Sequence, residues 1–294
     1  MQQHLNQADT CGLIRHLLVF ASCADHITKN KPGYSAPVHH FGPGLFIGDL
    51  ILEEEVIKIA IVVLATAVGF TIAGVAGFGG GVVALPVLVW AFGVREAIPI
   101  LTISQLFSTA SRVWLHRAEM DWRVIRNFSI GSVPFALLGS LFFVSIDTAV
   151  LVRILGVMML LFVVYTRMPI GRNFKMKLWG FIPLGSATGF ASAFLGIPGP
   201  FSSVFYLAYG LSASAYIGTS ALGMSVIQIP KLVVFSTNDL FVFRVLAMGV
   251  GLGLIAGASA FLGKIILGRI PESVFPRIIT AMLLISGVVL LVRG

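Results

Sequence analysis

Long runs of apolar residues, separated by short polar stretches, fill the chain after residue 55. Runs of this length predict helices that lie in a lipid bilayer. One set covers residues 56–76, 80–93, 97–115, 125–146 and 149–166, and a second covers 178–195, 199–211, 213–235, 241–263 and 273–292. The short segments 80–93 and 199–211 have fewer than the about 20 residues that a crossing helix needs. We therefore expect half-helices or tilted partial spans at these two places.

A glycine cluster, Gly77-Phe78-Gly79-Gly80-Gly81, separates the first two segments. Glycine costs roughly 1 kcal/mol relative to alanine inside a helix, so the cluster predicts a break whose backbone comes close to another group. At membrane depth such a break is tolerated only against protein or a water-filled cavity. The free N–H groups near Gly81 would then face that cavity and suit an anion, and we expect a methyl group added at Gly80 to enter it. Close packing between helices is the alternative reason for these glycines.

A second break, Gly196-Ile197-Pro198-Gly199-Pro200, stands at the corresponding place in the second set. Paired breaks of this kind in two halves are typical of a transporter's binding site. The halves also match at Gly93 and Gly210, Thr102 and Thr219, Arg126 and Arg244, and Gly139 and Gly257. We predict an all-α integral membrane protein of two inverted repeats, each with about five hydrophobic segments and a short broken helix at its Gly-rich motif. The expected divisions are a polar tail and interfacial lead-in at 1–55, repeat 1 with a cytoplasmic basic loop at 56–177, and repeat 2 at 178–294.

Composition and charge agree with a membrane protein. The 294 residues are 57% hydrophobic and 11% charged, whereas soluble domains carry about 25% charge. The net charge of +8 is spread between the apolar segments, so the basic residues indicate topology and not a nucleic-acid surface. The positive-inside rule places the loops 167–177 and 117–126 in the cytoplasm, and the loops around Asp147 and Asp239 on the other side. This distribution of positive charge agrees with two halves that have opposite orientations in the membrane.

The N-terminal tail holds the only two cysteines of the chain, Cys11 and Cys23, with His16 and His26 nearby. Their spacing matches no zinc pattern that we recognise. We expect no metal and no cofactor.

Polar residues recur at three- to four-residue spacing behind the first break, which places Thr102, Gln105, Ser108 or Thr109, and Arg112 on one helix face. The second half offers a looser counterpart in which Lys231 matches Arg112. Hydroxyls, amides and helix N-termini suit an oxyanion because each supplies a donor. Two alternatives remain open: the cations could reach the membrane surface, and the hydroxyls could bond their own helices. The candidate substrate-binding residues are Gly77, Phe78, Gly79, Gly80, Gly81, Thr102, Gln105, Arg112, Gly196, Ile197, Pro198, Gly199, Thr219, Ser220, Gln228 and Lys231.

The first glycine break and the following Leu85-Pro86-Val87-Leu88 resemble the sulfite exporter TauE/SafE family. The second break and the Ala213–Ser220 stretch resemble it as well. The resemblance covers about residues 56–294 and implies a membrane carrier for sulfite or other small sulfur-containing anions, such as sulfonates. The second half departs from the family pattern because Pro198 and Pro200 interrupt the usual glycine triplet, which leaves the substrate open.

We therefore expect an alternating-access transporter in a bacterial inner membrane, with a small anion and the lipid bilayer as partners and no nucleic acid. A homodimer is left open. Two other functions compete with transport by a carrier: an anion channel, and an intramembrane hydrolase that would use Ser220. A structural membrane scaffold would not explain duplicated broken helices. No carboxylate lies in the middle of a span, so proton coupling through a buried acid has no candidate.

Overall fold

The structure is a computed structural model that describes residues 43–77, 80–167, 175–195, 199–266 and residue 288. The described residues from 54 onward belong to one compact unit, and residues 43–53 belong to another. The described ranges contain no strand. Their helices are α1 Pro43–Ala76, α2 Gly80–Phe92, α3 Val94–His116, α4 Trp122–Ser145, α5 Thr148–Arg167, α6 Phe181–Leu195, α7 Gly199–Tyr209, α8 Ala213–Thr237 and α9 Phe243–Ile266. A 3₁₀ turn, Leu178–Gly180, precedes α6.

The predicted segments from 56–76 to 241–263 each coincide with one of these helices. Helix α1 differs from the expectation, because it continues from Pro43 to Ala76 and does not separate into a lead-in and a span. The last predicted segment, 273–292, falls outside the described residues, Val288 apart, and so does the tail 1–42 with its cysteines. Five candidate site residues also lie outside the described residues: Phe78, Gly79, Gly196, Ile197 and Pro198.

Four of the described helices contain segments long and apolar enough to cross a membrane: Glu55–Gly74, Trp122–Ser145, Ala213–Thr237 and Phe243–Gly263. Helix α2 has only 13 residues, about 20 Å of helix, and α7 has 11. The predicted short elements are therefore present as short helices. The prediction of an all-helical membrane protein is confirmed.

Equivalent turns join the short helices to the long helices that follow them. Gly93 stands between α2 and α3 with φ of 76°, and Gly210 stands after α7 with φ of 94°. A side chain is strained in this left-handed region, so each turn requires glycine. Asp121 then caps α4 by accepting from the backbone N of Arg123 at 2.9 Å, and Ser212 caps α8 by accepting from Ala215 at 3.2 Å.

Helices α3 and α8 run antiparallel. Gln105, Thr109 and His116 of α3 contact Gln228, Ser225 and Ser214 of α8, so numbers rise along one helix as they fall along the other. Helix α9 runs parallel to α3, because Gly249, Gly253 and Gly257 meet Ile103, Phe107 and Ser111 in the same order. Helix α4 runs parallel to α8, because Asp121 and Phe128 meet Thr219 and Gly223. Consequently α4 and α9 are also antiparallel to each other.

Glycines allow close approach at two helix contacts, α4 with α6 and α1 with α9. A Cβ at Gly131 of α4 would overlap the carbonyl oxygen of Ile182 of α6, and a Cβ at Gly185 would overlap that of Phe128. In the same way, Gly74 of α1 lies against the backbone of Ala260 in α9. The α4–α6 and α1–α9 contacts depend on small residues, as is usual between membrane helices.

Candidate functional site

Arg112 lies in the last two turns of α3 with only 6% of its surface exposed. Its Nη1 atom donates to the carbonyl oxygen of Gly77 at 2.6 Å, and its Nε atom donates more weakly to that of Ser108 at 3.4 Å. Gly77 directly follows the last residue of α1, where carbonyl groups lose their partners in the helix. The guanidinium therefore caps the broken end of α1 and is buried within the protein.

The break at Gly77 is held from the second half of the chain as well. Gly77 has φ of 76°, and a Cβ there would lie 2.7 Å from Cε1 of Tyr216, a buried residue at the start of α8. Tyr216 was not among the residues that the sequence indicated. A tyrosine in an apolar helix carries a hydroxyl that needs a partner when buried, which is the only signal that could have identified it.

Several hydroxyl groups around the break have no hydrogen-bond partner of normal geometry among the described residues. They belong to Ser108, one turn before Arg112, and to Tyr206 and Tyr216. The Tyr216 hydroxyl lies beside Ser203 and Ser220. Unsatisfied buried polar groups are rare and call for a cause such as a ligand or water. The hydroxyls of Ser108 and Tyr216, together with the guanidinium of Arg112, form a set of donors that could bind an oxyanion, whereas no hydrogen bond joins Tyr206 to Arg112 among the described residues.

Lys231 has the corresponding position in the second half. It is fully buried, and its Nζ atom donates to the carbonyl oxygen of Ser192 at 3.1 Å. Ser192 lies in the last turn of α6, just before the second break. Lys231 therefore contacts the broken end of α6 as Arg112 contacts that of α1.

The two cations do not meet at one site. Gln105 faces Gln228 across the antiparallel pair, so Lys231, three residues further along α8, lies at the level of Thr102 on α3. Arg112 is ten residues from that level, which corresponds to about 15 Å along the helix axis. Each side chain also contacts a different broken helix, so the candidate residues fall into two groups at different levels of the pair.

A polar bridge between the halves separates these groups. The Nε2 atom of Gln228 donates to Oε1 of Gln105, and Oγ of Ser225 donates to Oγ1 of Thr109 at 2.8 Å. Gln105 and Gln228 are both buried. The predicted polar face of α3 thus contacts the polar residues of α8, and the amides of Gln105 and Gln228 bond to each other.

Other predicted hydroxyls have structural partners. Thr102 donates to Ile98 at 2.8 Å and Ser220 to Ile217 at 3.2 Å, both within their own helices. Thr219 accepts from the backbone N of Asp121 at 2.9 Å. These bonds match the alternative that the sequence left open, in which hydroxyls satisfy backbone groups.

Gly80 and Gly81 are buried at the start of α2. A Cβ at Gly80 would lie 2.5 Å from Cδ1 of Phe70 in α1, and one at Gly69 would lie 2.8 Å from the carbonyl oxygen of Gly80. An added methyl at Gly80 therefore meets an aromatic ring, not the cavity that we expected. At this position close packing explains the glycine. Gly199 begins α7 in the equivalent place.

His116 and Ser214 link the end of α3 to the start of α8, with 2.8 Å between Nδ1 and Oγ. The serine that we weighed as a nucleophile, Ser220, bonds the carbonyl oxygen of Ile217. The described part of the chain contains no cluster of side chains that could hold a metal ion.

Comparison with protein families completes the picture of the site. The model of the sulfite exporter TauE/SafE family matches residues 61–290, most of the chain. The chain belongs to this family. Family membership implies a multi-pass membrane protein that transports sulfur-containing anions. Comparisons with curated proteins and with solved structures gave no match. In this TauE/SafE protein, both breaks and both buried cations lie within the matched residues.

Proposed function

We propose that this TauE/SafE protein carries sulfite or a small organosulfonate across the bacterial inner membrane by alternating access between two inverted halves. The observation that carries the proposal is Arg112, a buried guanidinium that two halves of the chain surround at the break after α1. Its Nη1 atom donates to Gly77, and the ring of Tyr216 closes the other side of that glycine.

The chemistry around Arg112 favours an oxyanion. No carboxylate forms an ion pair with Arg112 among the described residues, and its hydrogen-bond partners there are the carbonyl oxygens of Gly77 and Ser108. A buried charge is costly unless another charge or several dipoles compensate it. The planar fork of guanidinium donors matches the oxygens of a sulfite or sulfonate group. The hydroxyl of Ser108, which has no hydrogen-bond partner among the described residues, and the hydroxyl of Tyr216, which lies beside Ser203 and Ser220, add donors near it.

The inverted arrangement is supported by helix directions and by the turns. Equivalent helices of the two proposed halves run in opposite directions, α3 against α8 and α4 against α9. Gly93 and Gly210 make equivalent left-handed turns. Arg112 and Lys231 contact the broken helix of their own half. Repeats related by an axis in the membrane plane produce this relation.

The separation of the two cations supports alternating access as the mechanism. An anion that enters from one face meets Arg112 first, and one that enters from the other meets Lys231. The Gln105–Gln228 and Thr109–Ser225 bonds lie between them, where they would block an anion that moved from one cation to the other. Rocking of one half against the other must break the bonds that join the halves, including His116–Ser214.

Flux measurements in proteoliposomes test the proposal. We expect uptake of sulfite, thiosulfate, taurine or sulfoacetate, and no uptake of carboxylates or cations of similar size. Unlabelled substrate on the far side should accelerate entry of labelled substrate, because a carrier returns faster when loaded. Uptake of cations alone would refute anion transport. Anion flux without acceleration from the far side would instead identify a channel.

A further inference from the structure

A groove of about 490 Å³ is lined by residues between 175 and 187 and by Phe205, and none of its lining residues contacts Arg112. It runs between the start of α6 and α7. Its lining is mainly apolar and includes Pro183, Ala187 and Phe205, and Lys175 and Lys177 stand at one end. Both lysines are exposed.

The two ends of the groove differ in their chemistry. Trp179, Pro183 and Ala187 follow one another at four-residue intervals, so they lie on one face, and all three are exposed. The lysines precede Trp179, and the apolar part extends from it for about 12 Å along α6. Trp179 is 66% exposed, as is common for tryptophan at the level of lipid headgroups. One end of the groove is therefore cationic, and the rest is suited to a hydrocarbon chain.

The lysines lie on the cation-rich face of the protein. The backbone N of Met176 donates to the carbonyl oxygen of Ala208 at 3.2 Å, which places this segment beside the end of α7. The short turn after α7 leads to Ser214, which contacts His116 at the end of α3. The turn after His116 carries Arg117, and α4 begins with exposed Arg123 and Arg126. A face rich in Lys and Arg is the cytoplasmic one, where anionic lipids are concentrated.

We propose that this groove binds one anionic phospholipid of the cytoplasmic leaflet. Lys175 and Lys177 contact the phosphate group, and an acyl chain lies along Pro183, Ala187 and Phe205. Each lysine near an anionic surface contributes about 1 kcal/mol, so the pair gives about a tenfold or greater preference for an anionic over a zwitterionic lipid. This inference does not depend on which anion the protein transports.

Fluorescence quenching by brominated lipids tests the groove. The full chain carries four tryptophans. In a variant with Trp90, Trp114 and Trp122 replaced by phenylalanine, Trp179 is the only reporter. In vesicles of phosphatidylcholine, brominated phosphatidylglycerol should quench Trp179 at about one tenth of the mole fraction that brominated phosphatidylcholine requires.

Two further variants identify the contacts. Lys175→Gln with Lys177→Gln should remove the preference for phosphatidylglycerol, whereas Arg123→Gln with Arg126→Gln, which removes two exposed cations of the same face outside the groove, should retain it. Ala187→Phe, which fills the groove, should reduce quenching by both lipids. Melting curves show that each variant is folded. Equal quenching by the two lipids in the parent, or a preference that survives the loss of both lysines, would overturn the proposal. Weak quenching by both lipids that rises when the protein is diluted into more lipid would show that a second copy of the chain covers the groove instead.

Discussion

Arg112 and Lys231 are buried cations whose charge is compensated by the carbonyl dipoles at the end of a broken helix, since no carboxylate pairs with either among the described residues. Arg112 and Lys231 were identifiable from the sequence because a cation within an apolar span is a functional candidate. Their contacts were not identifiable, because the sequence cannot show that each one meets the carbonyl end of a broken helix. Nor could it show their separation, which results from the antiparallel crossing of α3 and α8.

Arg112→Gln should weaken anion binding by about tenfold to a hundredfold, because a hydrogen bond to a charged group contributes about 1.5–3 kcal/mol. Arg112→Lys should give an intermediate loss, because it retains the charge but not the fork of donors. The measurement is the rise in melting temperature that sulfite or a sulfonate produces. Arg126→Gln, an exposed cation on α4, is the matched control and should keep the full rise. An unchanged rise in Arg112→Gln would exclude this residue from the site.

Tyr216→Phe tests the hydroxyl while the ring continues to pack on Gly77. The hydroxyl has no hydrogen-bond partner of normal geometry among the described residues, so its loss should change the free energy of unfolding by less than about 1 kcal/mol. Anion affinity should nevertheless fall, by about tenfold. Tyr206→Phe removes a similar buried hydroxyl and should leave affinity unchanged. Equal effects of both variants on affinity would argue against a specific contact with Tyr216.

At the scale of elements, glycine has different roles at different positions. Gly77, Gly93 and Gly210 provide left-handed backbone, whereas Gly80 and Gly131 provide room for a neighbouring helix. Sequence alone does not distinguish these two roles, because the neighbour across the contact is distant in the chain. For this reason the helices were predictable from apolar length, but the purpose of Gly80 was not.

Gly131→Ala should destabilise the protein by about 1–3 kcal/mol, because its Cβ would overlap the carbonyl oxygen of Ile182 in the α4–α6 contact. Gly251→Ala is the matched control. It lies inside α9 with no atom near its Cβ, and alanine should stabilise that helix by about 0.5–1 kcal/mol. Thermal unfolding in detergent measures both changes. Equal melting temperatures of the two variants would show that the α4–α6 contact is not close.

At the scale of the whole molecule, the segments and their order were predictable because a membrane imposes a fixed length on apolar helices. Charged loops also predicted the relative orientation of the halves, and the directions of α3, α4, α8 and α9 agree with that proposal. The pairing of the helices was not predictable. Side-chain partners such as Gln105 and Gln228 become neighbours only after the two halves meet.

Accessibility of single cysteines checks the orientation. In a chain with Cys11 and Cys23 replaced by serine, cysteines at Glu119 and Lys177 should react from one face, and cysteines at Asp147 and Val242 from the other. All four residues are exposed. An impermeant maleimide applied to intact cells, and then to inverted vesicles, distinguishes the faces. Reaction of Glu119→Cys and Val242→Cys from the same side would contradict inverted halves.

The chemical difference between Arg112 and Lys231 has a kinetic consequence for a carrier that alternates. A guanidinium fork holds an oxyanion with paired donors, whereas an ammonium group acts as a point charge. The concentration for half-maximal uptake will therefore differ between the two sides of the membrane. The direction of net flux cannot be set by this difference in affinity. Microscopic reversibility links the inward and outward transport rates of the carrier. At equal anion concentration on both sides and without a membrane potential, net movement is zero whichever cation binds more tightly.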